Sequence, residues 1–501
     1  MGLRTHNVYD QIVENARLFP QKQAFVIGEL RRSFSEYLTE VNQLAAGFRK
    51  QGLQTQDRLT ILMDNSWEFL LCYGACAQLG LVMVPLNVRT STDEMGLVLK
   101  NTEPKIFIFG ENYQEEAQTL KKSYNWEACY QTGKNSVDLS FSDLVLEEGY
   151  TQVVTGKSTD AYVIIPTAAT DGFPKGAVLS QENVMAASSM QLLEYGREAV
   201  SAQLAFLPLF HILGLSAIMT TFVSGGINVL MPRFDAAKAV TLIDQEKLTY
   251  FGSFPPLLGG ILDQAKEQGS QLTSLKLVFG IEGPPMIERL QTETQAEFWV
   301  GFGQAETSAF VTTGRFSQYP DTAGVANPFN AVALMDEEGN LVPNGEAGEI
   351  VVRGPLVFQG YWKREEANAH VFRFGWHHTG DKGKLNDQGA LVYLGRLPEK
   401  ELIKTGGENV YPKEVEEALT KHAKINAAVV FGVPDEQWGE AIKAVIELVP
   451  ESQLTLKEVR DFVGQHIAGF KRPKHVVFVE NLAGKQNKVD REAVKKRFAE
   501  Q

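Results

Sequence analysis

The stretch Thr167-Ala168-Ala169-Thr170-Asp171-Gly172-Phe173-Pro174-Lys175-Gly176 is the part of this chain that most restricts its fold. It places hydroxyls, glycines and a lysine directly after the apolar run 161–165, which predicts a buried strand, and shortly before residues 180–183, which predict a helix start. Backbone N–H groups, hydroxyls and one ammonium in such a loop can donate hydrogen bonds to phosphate oxygens. Taken alone, the stretch is equally typical of a surface turn, because Asp-Gly and Phe-Pro pairs are common in turns.

The same stretch excludes two common nucleotide-binding loops. It has neither the three spaced glycines of the dinucleotide fingerprint nor the Gly-Lys-Ser/Thr of the Walker loop. Asp171 is unusual for a phosphate site, because its carboxylate would face the same oxygens. We therefore expect Asp171 to weaken phosphate binding unless a divalent cation bridges the two.

Length and composition restrict the class of protein. A chain of 501 residues exceeds one ordinary core, which predicts two or three domains. The 44% hydrophobic and 22% charged content is typical of a globular protein, and the formal net charge of −13 argues against nucleic acids and anionic membranes as partners. We expect a small-molecule substrate.

Targeting and cysteine patterns favour a cytoplasmic protein without a membrane segment. Residues 1–10 are polar and show no signal peptide, and the apolar region 213–231 is interrupted by polar residues and glycines, which is more typical of a buried helix and strand. Cys72, Cys76 and Cys129 are too few for a disulfide framework, which indicates a reducing compartment. Cys72 and Cys76 lie one helical turn apart and are expected in the core. The oligomeric state stays open, with a homodimer among the options.

Helix and strand patterns alternate through the first part of the chain. Ser33 and Glu36 form a capping box that opens a helix, residues 59–63 predict a strand, and residues 66–79 predict the next helix. This βαβ rhythm predicts an α/β fold of parallel-rich sheets packed with helices. From residue 322 onward short β segments predict a β-rich subdomain.

A charged segment separates a second unit from the first. The run Arg396-Leu397-Pro398-Glu399-Lys400-Glu401 has the composition of a linker, and the helices and strands predicted after it form a small α+β domain. We predict an N-terminal domain over residues 1–395 and a mobile C-terminal domain over residues 396–501. The hinge residue is either Glu399 or Glu401.

Further motifs follow the opening stretch, and their order is more informative than any one of them. They are Pro208-Leu209-Phe210-His211-Ile212-Leu213-Gly214-Leu215, Gly280-Ile281-Glu282-Gly283-Pro284-Pro285, Phe302-Gly303-Gln304-Ala305-Glu306-Thr307, Gly375-Trp376-His377-His378-Thr379-Gly380-Asp381, Leu394-Gly395-Arg396, Lys404-Thr405-Gly406-Gly407-Glu408-Asn409-Val410-Tyr411-Pro412 and Lys488-Val489-Asp490-Arg491.

In this order the motifs resemble the adenylate-forming, or AMP-binding, superfamily of acyl-CoA synthetases, peptide-synthetase adenylation domains and luciferases. The resemblance covers nearly the whole chain. The family's phosphate loop usually has the sequence Thr-Ser-Gly-Thr-Thr-Gly-x-Pro-Lys-Gly, and the segment ending at Asp381 matches the family's Gly-Trp-x-x-Thr-Gly-Asp. The resemblance implies ATP, Mg²⁺ and CoA as cofactors and cosubstrates.

It also implies a role for each motif. Glu306 would supply the hard oxygen ligand that Mg²⁺ needs beside the ATP phosphates, and Phe302 would stack on adenine. Asp381 would accept hydrogen bonds from the ribose hydroxyls. Lys488, with Lys485 as a substitute, would be the catalytic lysine that stabilises charge on the transferring oxygens.

The implied site residues fall into groups. The catalytic residues are Lys488, Glu306 and His211, with Glu306 as the metal ligand. The ATP or AMP contacts are Thr167, Thr170, Gly172, Lys175, Glu282, Gly283, Pro284, Phe302, Gly303, Gln304, Asp381 and Arg396. The CoA contacts are Lys404, Gly406, Gly407 and Glu408. The acyl pocket comprises Phe210, His211, Gly214, Ser253, Gly280 and Ile281.

Simpler explanations exist for several of these residues. A lone histidine such as His211 often only fills a polar position in a core, and Asp381 could cap a turn. Arg396 could pair with Glu399, and basic residues near a C terminus, such as Lys488, are mostly solvated. The surrounding motifs favour the functional interpretation.

The sequence also departs from the family pattern. Ala168, Ala169 and Asp171 replace expected residues of the phosphate loop, and Asn487 replaces a glycine before the lysine. Ala305 removes a hydroxyl expected near the α-phosphate, for which Thr307 is a partial replacement.

The leading hypothesis is an AMP-forming acid–thiol ligase, an acyl-CoA synthetase that converts a mostly apolar carboxylic acid to acyl-AMP and then to acyl-CoA. One alternative is a stand-alone adenylation enzyme that transfers the acyl group to a carrier protein. Another is a degenerate homologue that binds nucleotide or acyl-CoA without catalysis. The sequence does not identify the acid, and Glu282 near the pocket would disfavour anionic tails.

Overall fold

In a computed structural model, which describes residues 6–133, 138–151, 157–167, 174–397, 402–482 and 491–499, helices and strands alternate as the hydrophobic pattern predicts. The helices are α1 Val8–Leu18, α2 Phe34–Lys50, α3 Trp67–Leu79, α4 Thr92–Thr102, α5 Gln114–Ser123, α6 Gln181–Tyr195, α7 Ile212–Ser224, α8 Ala236–Glu246, α9 Leu257–Gln268, α10 Pro284–Glu293, α11 Glu365–Val371, α12 Pro412–Thr420, α13 Leu456–His466 and α14 Arg491–Phe498.

The strands of the N-terminal half are β1 Gln23–Ile27, β2 Leu30–Ser33, β3 Arg58–Leu62, β4 Val82–Pro85, β5 Ile106–Phe109, β6 Ala128–Gln131, β7 Leu139–Ser140, β8 Ala161–Thr167, β9 Lys175–Ser180, β10 Ala202–Ala205, β11 Ile227–Leu230 and β12 Tyr250–Ser253. The later strands are β13 Leu277–Gly280, β14 Glu297–Gln304, β15 Ala309–Arg315, β16 Val325–Ala326, β17 Ala331–Met335, β18 Ala347–Arg353, β19 Gly360–Tyr361, β20 His377–Leu385, β21 Leu391–Arg396, β22 Ile403–Thr405, β23 Glu408–Val410, β24 Ile425–Asp435, β25 Gly439–Leu448 and β26 His475–Val479.

Helix boundaries follow the capping residues that the sequence supplies. The Ser33 side chain accepts a hydrogen bond from the Glu36 N–H, and the Glu36 carboxylate accepts one from the Ser33 N–H, which confirms the capping box at the start of α2. Helix α3 begins after Ser66 and ends at Gly80, whose φ of 66° suits a left-handed C-cap.

Two large sheets form the N-terminal part. One runs in the order β19-β9-β8-β4-β3-β5-β6-β7 and the other in the order β16-β15-β14-β13-β12-β10-β11-β1-β2. Their central strands are parallel, for example β3 beside β4 and β5, and β13 beside β12 and β14. The predicted α/β fold of parallel-rich sheets with helices is confirmed.

The opening stretch lies in a connection that the sequence pattern predicts only in part. Strand β8 does not lead directly to helix α6, because β9 intervenes and pairs with β8 in an antiparallel ladder. The apolar residues Ala177, Val178 and Leu179 make β9 a buried strand, and β19 pairs with its other edge. The stretch is therefore a connection between two antiparallel strands.

Helix α3 shows where the main core lies. Nearly all of its residues are buried, and it packs in one hydrophobic cluster with residues from both large sheets and from helices α1, α2 and α7. Cys72 and Cys76 are in this core, as expected. No helix in the described parts of the chain combines the length and the apolar character needed to cross a membrane.

Two smaller sheets complete the fold. Strands β17, β18, β20 and β21 form an antiparallel sheet, which is the β-rich part predicted after residue 322. Strands β22 to β26 form a separate sheet, covered on one side by α12 and α13 and on the other by α14. The predicted division between residues 395 and 396 stays a prediction, and Glu399 and Glu401 lie outside the described residues.

Candidate active site

A cleft of about 1440 Å³ lies between the N-terminal sheets and the C-terminal unit. Ser253, Gly280 and Gln304 line it, and each stands at the carboxyl end of its strand, in β12, β13 and β14. Ligands of open α/β sheets bind beyond the carboxyl ends of parallel strands. Gly280 permits the close packing there, because its φ is 139° and a Cβ would lie 1.9 Å from the Ser253 carbonyl oxygen.

Asp381 is held by three neighbours in this cleft. Tyr393 donates its hydroxyl hydrogen to Oδ1 at 3.0 Å, and the Arg396 Nε lies 3.1 Å from the same oxygen. The Gln304 amide donates to Oδ2 and, at 3.0 Å, to the Thr379 carbonyl. The structure thus brings three predicted nucleotide contacts together and adds Tyr393.

Tyr393, and not Phe302, presents the exposed aromatic ring near Asp381. Phe302 is buried, with its ring centroid 6.1 Å from that of Tyr393, whereas Tyr393 is 38% exposed. Tyr393 is missed by the motif-based prediction, although its position three residues before Arg396 on the neighbouring strand could have indicated it.

Glu306 lies beside residues from two other segments. The Tyr361 hydroxyl donates to Glu306 Oε1 at 2.7 Å, and burial together with the Glu306 charge raises the pKa of Tyr361. The Lys175 Nζ lies 5.4 Å from the centroid of the Tyr361 ring, and the Thr167 hydroxyl donates to the Lys175 carbonyl at 3.0 Å. Tyr361 therefore connects the predicted metal ligand with the predicted phosphate lysine.

Thr307 does not replace the hydroxyl lost at Ala305. The Thr307 side chain is fully buried, and its oxygen bonds to the backbone of Gln304 and Ala309 at 2.8 to 3.2 Å. This expectation is wrong, because the turn that begins at Ala305 directs residue 307 into the core.

Several predicted residues lie outside the described residues. They include three predicted site residues, Thr170, Gly172 and Lys488, together with Ala168, Ala169, Asp171, Lys485 and Asn487.

Of the predicted acyl-pocket residues, five line the cleft. They are His211, Gly214, Ser253, Gly280 and Ile281. Phe210 instead lines a second, neighbouring cavity, and its ring is tilted by 52° against that of His211 with the centroids 4.7 Å apart. The backbone at His211 is extended, and consecutive residues of an extended chain face opposite sides.

Glu282 is a half-buried carboxyl at the edge of this cleft. Ser253 donates its hydroxyl hydrogen to Glu282 Oε1 at 2.8 Å. Burial raises the pKa of Glu282 to about 7, against the opposing effect of hydrogen bonds from Ser253 and the Leu258 N–H. The neighbouring Gly283 and Pro284, predicted to contact adenine, are exposed at the start of helix α10 and do not line the cleft.

Glu408 reaches from the hairpin of β22 and β23 into the N-terminal part. Its Oε1 accepts a hydrogen bond from Arg89 at 2.7 Å and lies 3.4 Å from His211 Nε2, and its Oε2 accepts one from the Asn87 amide at 3.2 Å. Burial raises the pKa of Glu408, but His211 and Arg89 outweigh it and bring the pKa down to about 2. The hairpin's Gly407 has a φ of 80°, and a Cβ there would lie 2.6 Å from the Phe254 ring.

A second cavity of about 790 Å³ adjoins the cleft beyond Glu408. Arg89, Glu408 and Trp438 line both spaces. Five basic side chains line the second cavity, namely Arg89, Arg233, Arg460, Arg472 and Lys474. Three of them form ion pairs with carboxylates, Arg89 with Glu408, Arg233 with Asp64 and Lys474 with Asp435.

Of the four predicted CoA residues, Lys404, Gly407 and Glu408 line the main cleft and Gly406 lines the second cavity. The Lys404 Nζ lies 5.5 Å from the centroid of the Tyr393 ring. All four therefore stand where the two spaces meet, on a hairpin whose turn is formed by the two glycines.

The sequence pattern of AMP-binding enzymes matches residues 12–362, and that of the AMP-binding enzyme C-terminal domain matches residues 414–488. The chain belongs to the family of AMP-binding enzymes. This AMP-binding enzyme is 30% identical to a feruloyl-CoA synthase of Amycolatopsis sp and 31% identical to an indoleacetate–CoA ligase of Aromatoleum aromaticum, over 94% of each chain. The predicted family and the predicted class of acid–thiol ligase are confirmed.

Among solved structures, two of the o-succinylbenzoate CoA synthetase of Bacillus subtilis differ in how closely they superimpose on this chain. A double mutant with a bound product analogue superimposes on this AMP-binding enzyme with a TM-score of 0.85, at 25% identity over 97% of this chain and 98% of that one. The complex with the acyl-adenylate intermediate gives 0.70, at 25% identity over 97% of both chains. The arrangement of this chain is therefore closer to that of the product-analogue complex.

Proposed function

We propose that the protein is an ATP-dependent ligase that joins a carboxylic acid to CoA, with acyl-AMP as the intermediate. Apart from its carboxylate, the acid is uncharged and mostly apolar. The acid attacks the α-phosphorus of ATP and releases pyrophosphate. The CoA thiol then attacks the acyl carbon of the mixed anhydride and releases AMP.

The position of the hairpin carries this proposal. Glu408 and the two glycines stand between the cleft that holds the predicted nucleotide residues and the second cavity with its five basic side chains. A long, flexible thiol with a phosphorylated nucleotide at its far end fits such a path, because guanidinium and ammonium groups bind phosphates. This favours CoA over a carrier protein as the acceptor.

The residues present in the cleft suit ATP with Mg²⁺. The Glu306 carboxylate would supply the hard oxygen ligand that Mg²⁺ needs. When bound, Mg²⁺ neutralises charge on the ATP phosphates. Tyr361 orients Glu306, Lys175 provides a cation nearby, and Asp381 with Arg396 receives the ribose.

The acid is uncharged at its far end. The walls next to His211 are mostly apolar, with Leu207, Leu213 and Phe310 among the lining residues. Glu282 has no cation among its partners in the described part of the chain, so an anionic tail placed beside it would be repelled when Glu282 is ionised. A cytoplasmic location and a homodimer stay predictions from the sequence.

The adenylation step is tested by pyrophosphate exchange with aliphatic, alicyclic and aromatic acids. We expect exchange with at least one acid that has no charge beyond its reacting carboxylate, and none with dicarboxylates of matching length. Lys488→Ala should abolish most of this exchange, because an ammonium near the α-phosphate stabilises the transition state, while thioester formation from preformed acyl-AMP should persist. ATP binding without exchange for any acid would instead indicate the degenerate homologue.

A further inference from the structure

Lys471 is a buried cation at the contact between the two parts of the chain. Its side chain is 4% exposed, and its Nζ donates to Glu414 Oε1 at 2.6 Å. The same Nζ donates to Glu94 Oε1. Glu414 lies on α12 of the C-terminal unit, whereas Glu94 lies on α4 of the N-terminal part.

The carboxylate of Glu94 is already fixed before Lys471 reaches it. Glu94 is the third residue of α4, and its Oε2 accepts hydrogen bonds from the Ser91 N–H and hydroxyl at 2.8 Å. The other oxygen is left to face the C-terminal unit. A preorganised acceptor loses little side-chain entropy when the ammonium arrives.

Burial makes the three charges depend on each other, and it raises the pKa of Glu414 to about 7 against the opposing effect of Lys471. Burial lowers the pKa of Lys471, but Glu414 and Glu94 outweigh it and raise the pKa, so the ammonium remains charged. If the C-terminal unit turns away, Lys471 keeps Glu414 and loses Glu94. Separating a buried ion from its partner is costly unless water replaces the partner.

Glu94 and the contacts of Glu408 lie on one continuous segment. Asn87 and Arg89 bind Glu408, and Glu94, five residues after Arg89, binds Lys471. Residues 87–94 therefore contact the C-terminal unit at two points, the hairpin of β22 and β23 and the helical turn Gly469–Lys471. With these contacts in place, the chain resembles the product-analogue complex of the o-succinylbenzoate CoA synthetase more than its acyl-adenylate complex.

We propose that Glu94, Lys471 and Glu414 form an electrostatic latch that closes only in the arrangement used for thioester formation. The three are positioning residues, since they hold the hairpin of Gly407 and Glu408 at the cleft without contacting the reacting atoms. The proposal rests on the proposed two-step ligase function.

The latch is tested with Glu94→Gln, which removes the charge and leaves side-chain oxygen and nitrogen in place. We expect pyrophosphate exchange to stay within about twofold of the unmodified enzyme, and thioester formation from preformed acyl-AMP to slow about tenfold, as for a lost contact between coupled charges. Asp93→Asn is the matched control, because Asp93 is acidic and exposed in the same helical turn. It should alter neither step.

A charge exchange separates the latch from a general folding effect. Glu94→Lys and Lys471→Glu should each slow thioester formation, and the double variant restores two carboxylates and one ammonium, so it should recover part of the rate. Equal losses in both half-reactions for Glu94→Gln, or no recovery in the double variant, would overturn the latch.

Small-angle X-ray scattering of the enzyme without substrates tests the latch independently of catalysis. Glu94→Gln should increase the radius of gyration relative to Asp93→Asn, because the C-terminal unit leaves the docked arrangement more often. Identical scattering and an unchanged thioester rate would reject the latch. Absence of exchange in the unmodified enzyme would reject the proposed ligase function, and scattering would still decide the latch.

Discussion

At the scale of single residues, Tyr361 shows what the sequence motifs leave out. The motif around Glu306 predicts a magnesium ligand, but the group that orients this carboxylate comes from a short strand 55 residues later. Its hydroxyl donates to one oxygen and leaves the other for a metal ion. The side chain also stands against Lys175, so one tyrosine positions two predicted phosphate-site residues.

Removing this hydroxyl should weaken metal use more than the chemistry itself. Tyr361→Phe should raise the Mg²⁺ concentration for half-maximal pyrophosphate exchange about fivefold, because a hydrogen bond to a carboxylate contributes about 1 kcal/mol or somewhat more. Exchange at saturating Mg²⁺ should remain close to that of the unmodified enzyme. Tyr319→Phe, away from the cleft, is the control. Loss of exchange at every Mg²⁺ concentration would mean that Tyr361 serves folding.

Glu282 should make the stability depend on pH in a specific direction. Its pKa of about 7 lies above the ordinary value of 4.5, so the folded protein binds the proton more tightly than the unfolded chain. The free energy of unfolding therefore falls as pH rises from about 4.5 to about 7 and stays lower above that. Glu282→Gln cannot ionise and should avoid this loss.

Thermal unfolding at two pH values checks this expectation. Glu282→Gln should match the unmodified protein near pH 4.5 and exceed its stability at pH 8.5 by up to about 3 kcal/mol. Glu288→Gln, an exposed residue on the next helix, should differ at neither pH. A destabilised Glu282→Gln at pH 8.5 would show that the ionised carboxylate is needed, for example as an acceptor for the Leu258 N–H.

At the scale of elements, the hairpin of β22 and β23 was identified by its sequence motif, but its position in the fold was not predicted. Gly406 and Gly407 form the turn between two short strands, and both glycines have positive φ. What the hairpin contacts could not be predicted, because Arg89 lies 319 residues before Glu408. The contact between Glu94 and Lys471 could not be predicted for the same reason, because the two residues lie 377 positions apart.

A small side chain at Gly407 should separate the two half-reactions. Gly407→Ala places a methyl group against the Phe254 ring at 2.6 Å and a non-glycine residue at a φ of 80°. We expect pyrophosphate exchange to survive and thioester formation to fall at least about tenfold, because the hairpin withdraws from the cleft. Gly389→Ala has a similar φ of 74° and open space around it, so it controls for backbone strain alone. Loss of exchange in Gly407→Ala would assign the turn to folding.

Other elements show why local patterns succeed or fail. Strand β5 consists of four consecutive apolar residues in a parallel sheet, a pattern that leaves little ambiguity. Strand β9 was not predicted because its apolar run is only three residues long. Gly176 before the run indicates a loop, and Ser180 after it indicates a helix cap. Phe210 and Thr307 show that a motif identifies a segment but not the direction of each side chain.

At the scale of the whole molecule, the cleft is lined by residues of both the N-terminal part and the C-terminal unit. The predicted nucleotide residues around Asp381 come from β14 of a large sheet and from β20 and β21 of the small antiparallel sheet, and the residues that would admit CoA come from the hairpin of β22 and β23. Glu408 and Lys471 make the charged contacts between them, and each places its charge out of water. Such contacts stabilise this one arrangement, and the mobility of the C-terminal domain stays a prediction.

The central claim is that an acid and CoA are joined at this meeting point at the expense of ATP. The most direct measurement is mass spectrometry of the products formed from ATP, Mg²⁺, CoA and one uncharged acid that supports pyrophosphate exchange, with a phosphopantetheinyl carrier protein offered in a parallel reaction. The account predicts acyl-CoA and AMP in equal amounts, and little acylated carrier. Acylated carrier without acyl-CoA, or ADP in place of AMP, would contradict it.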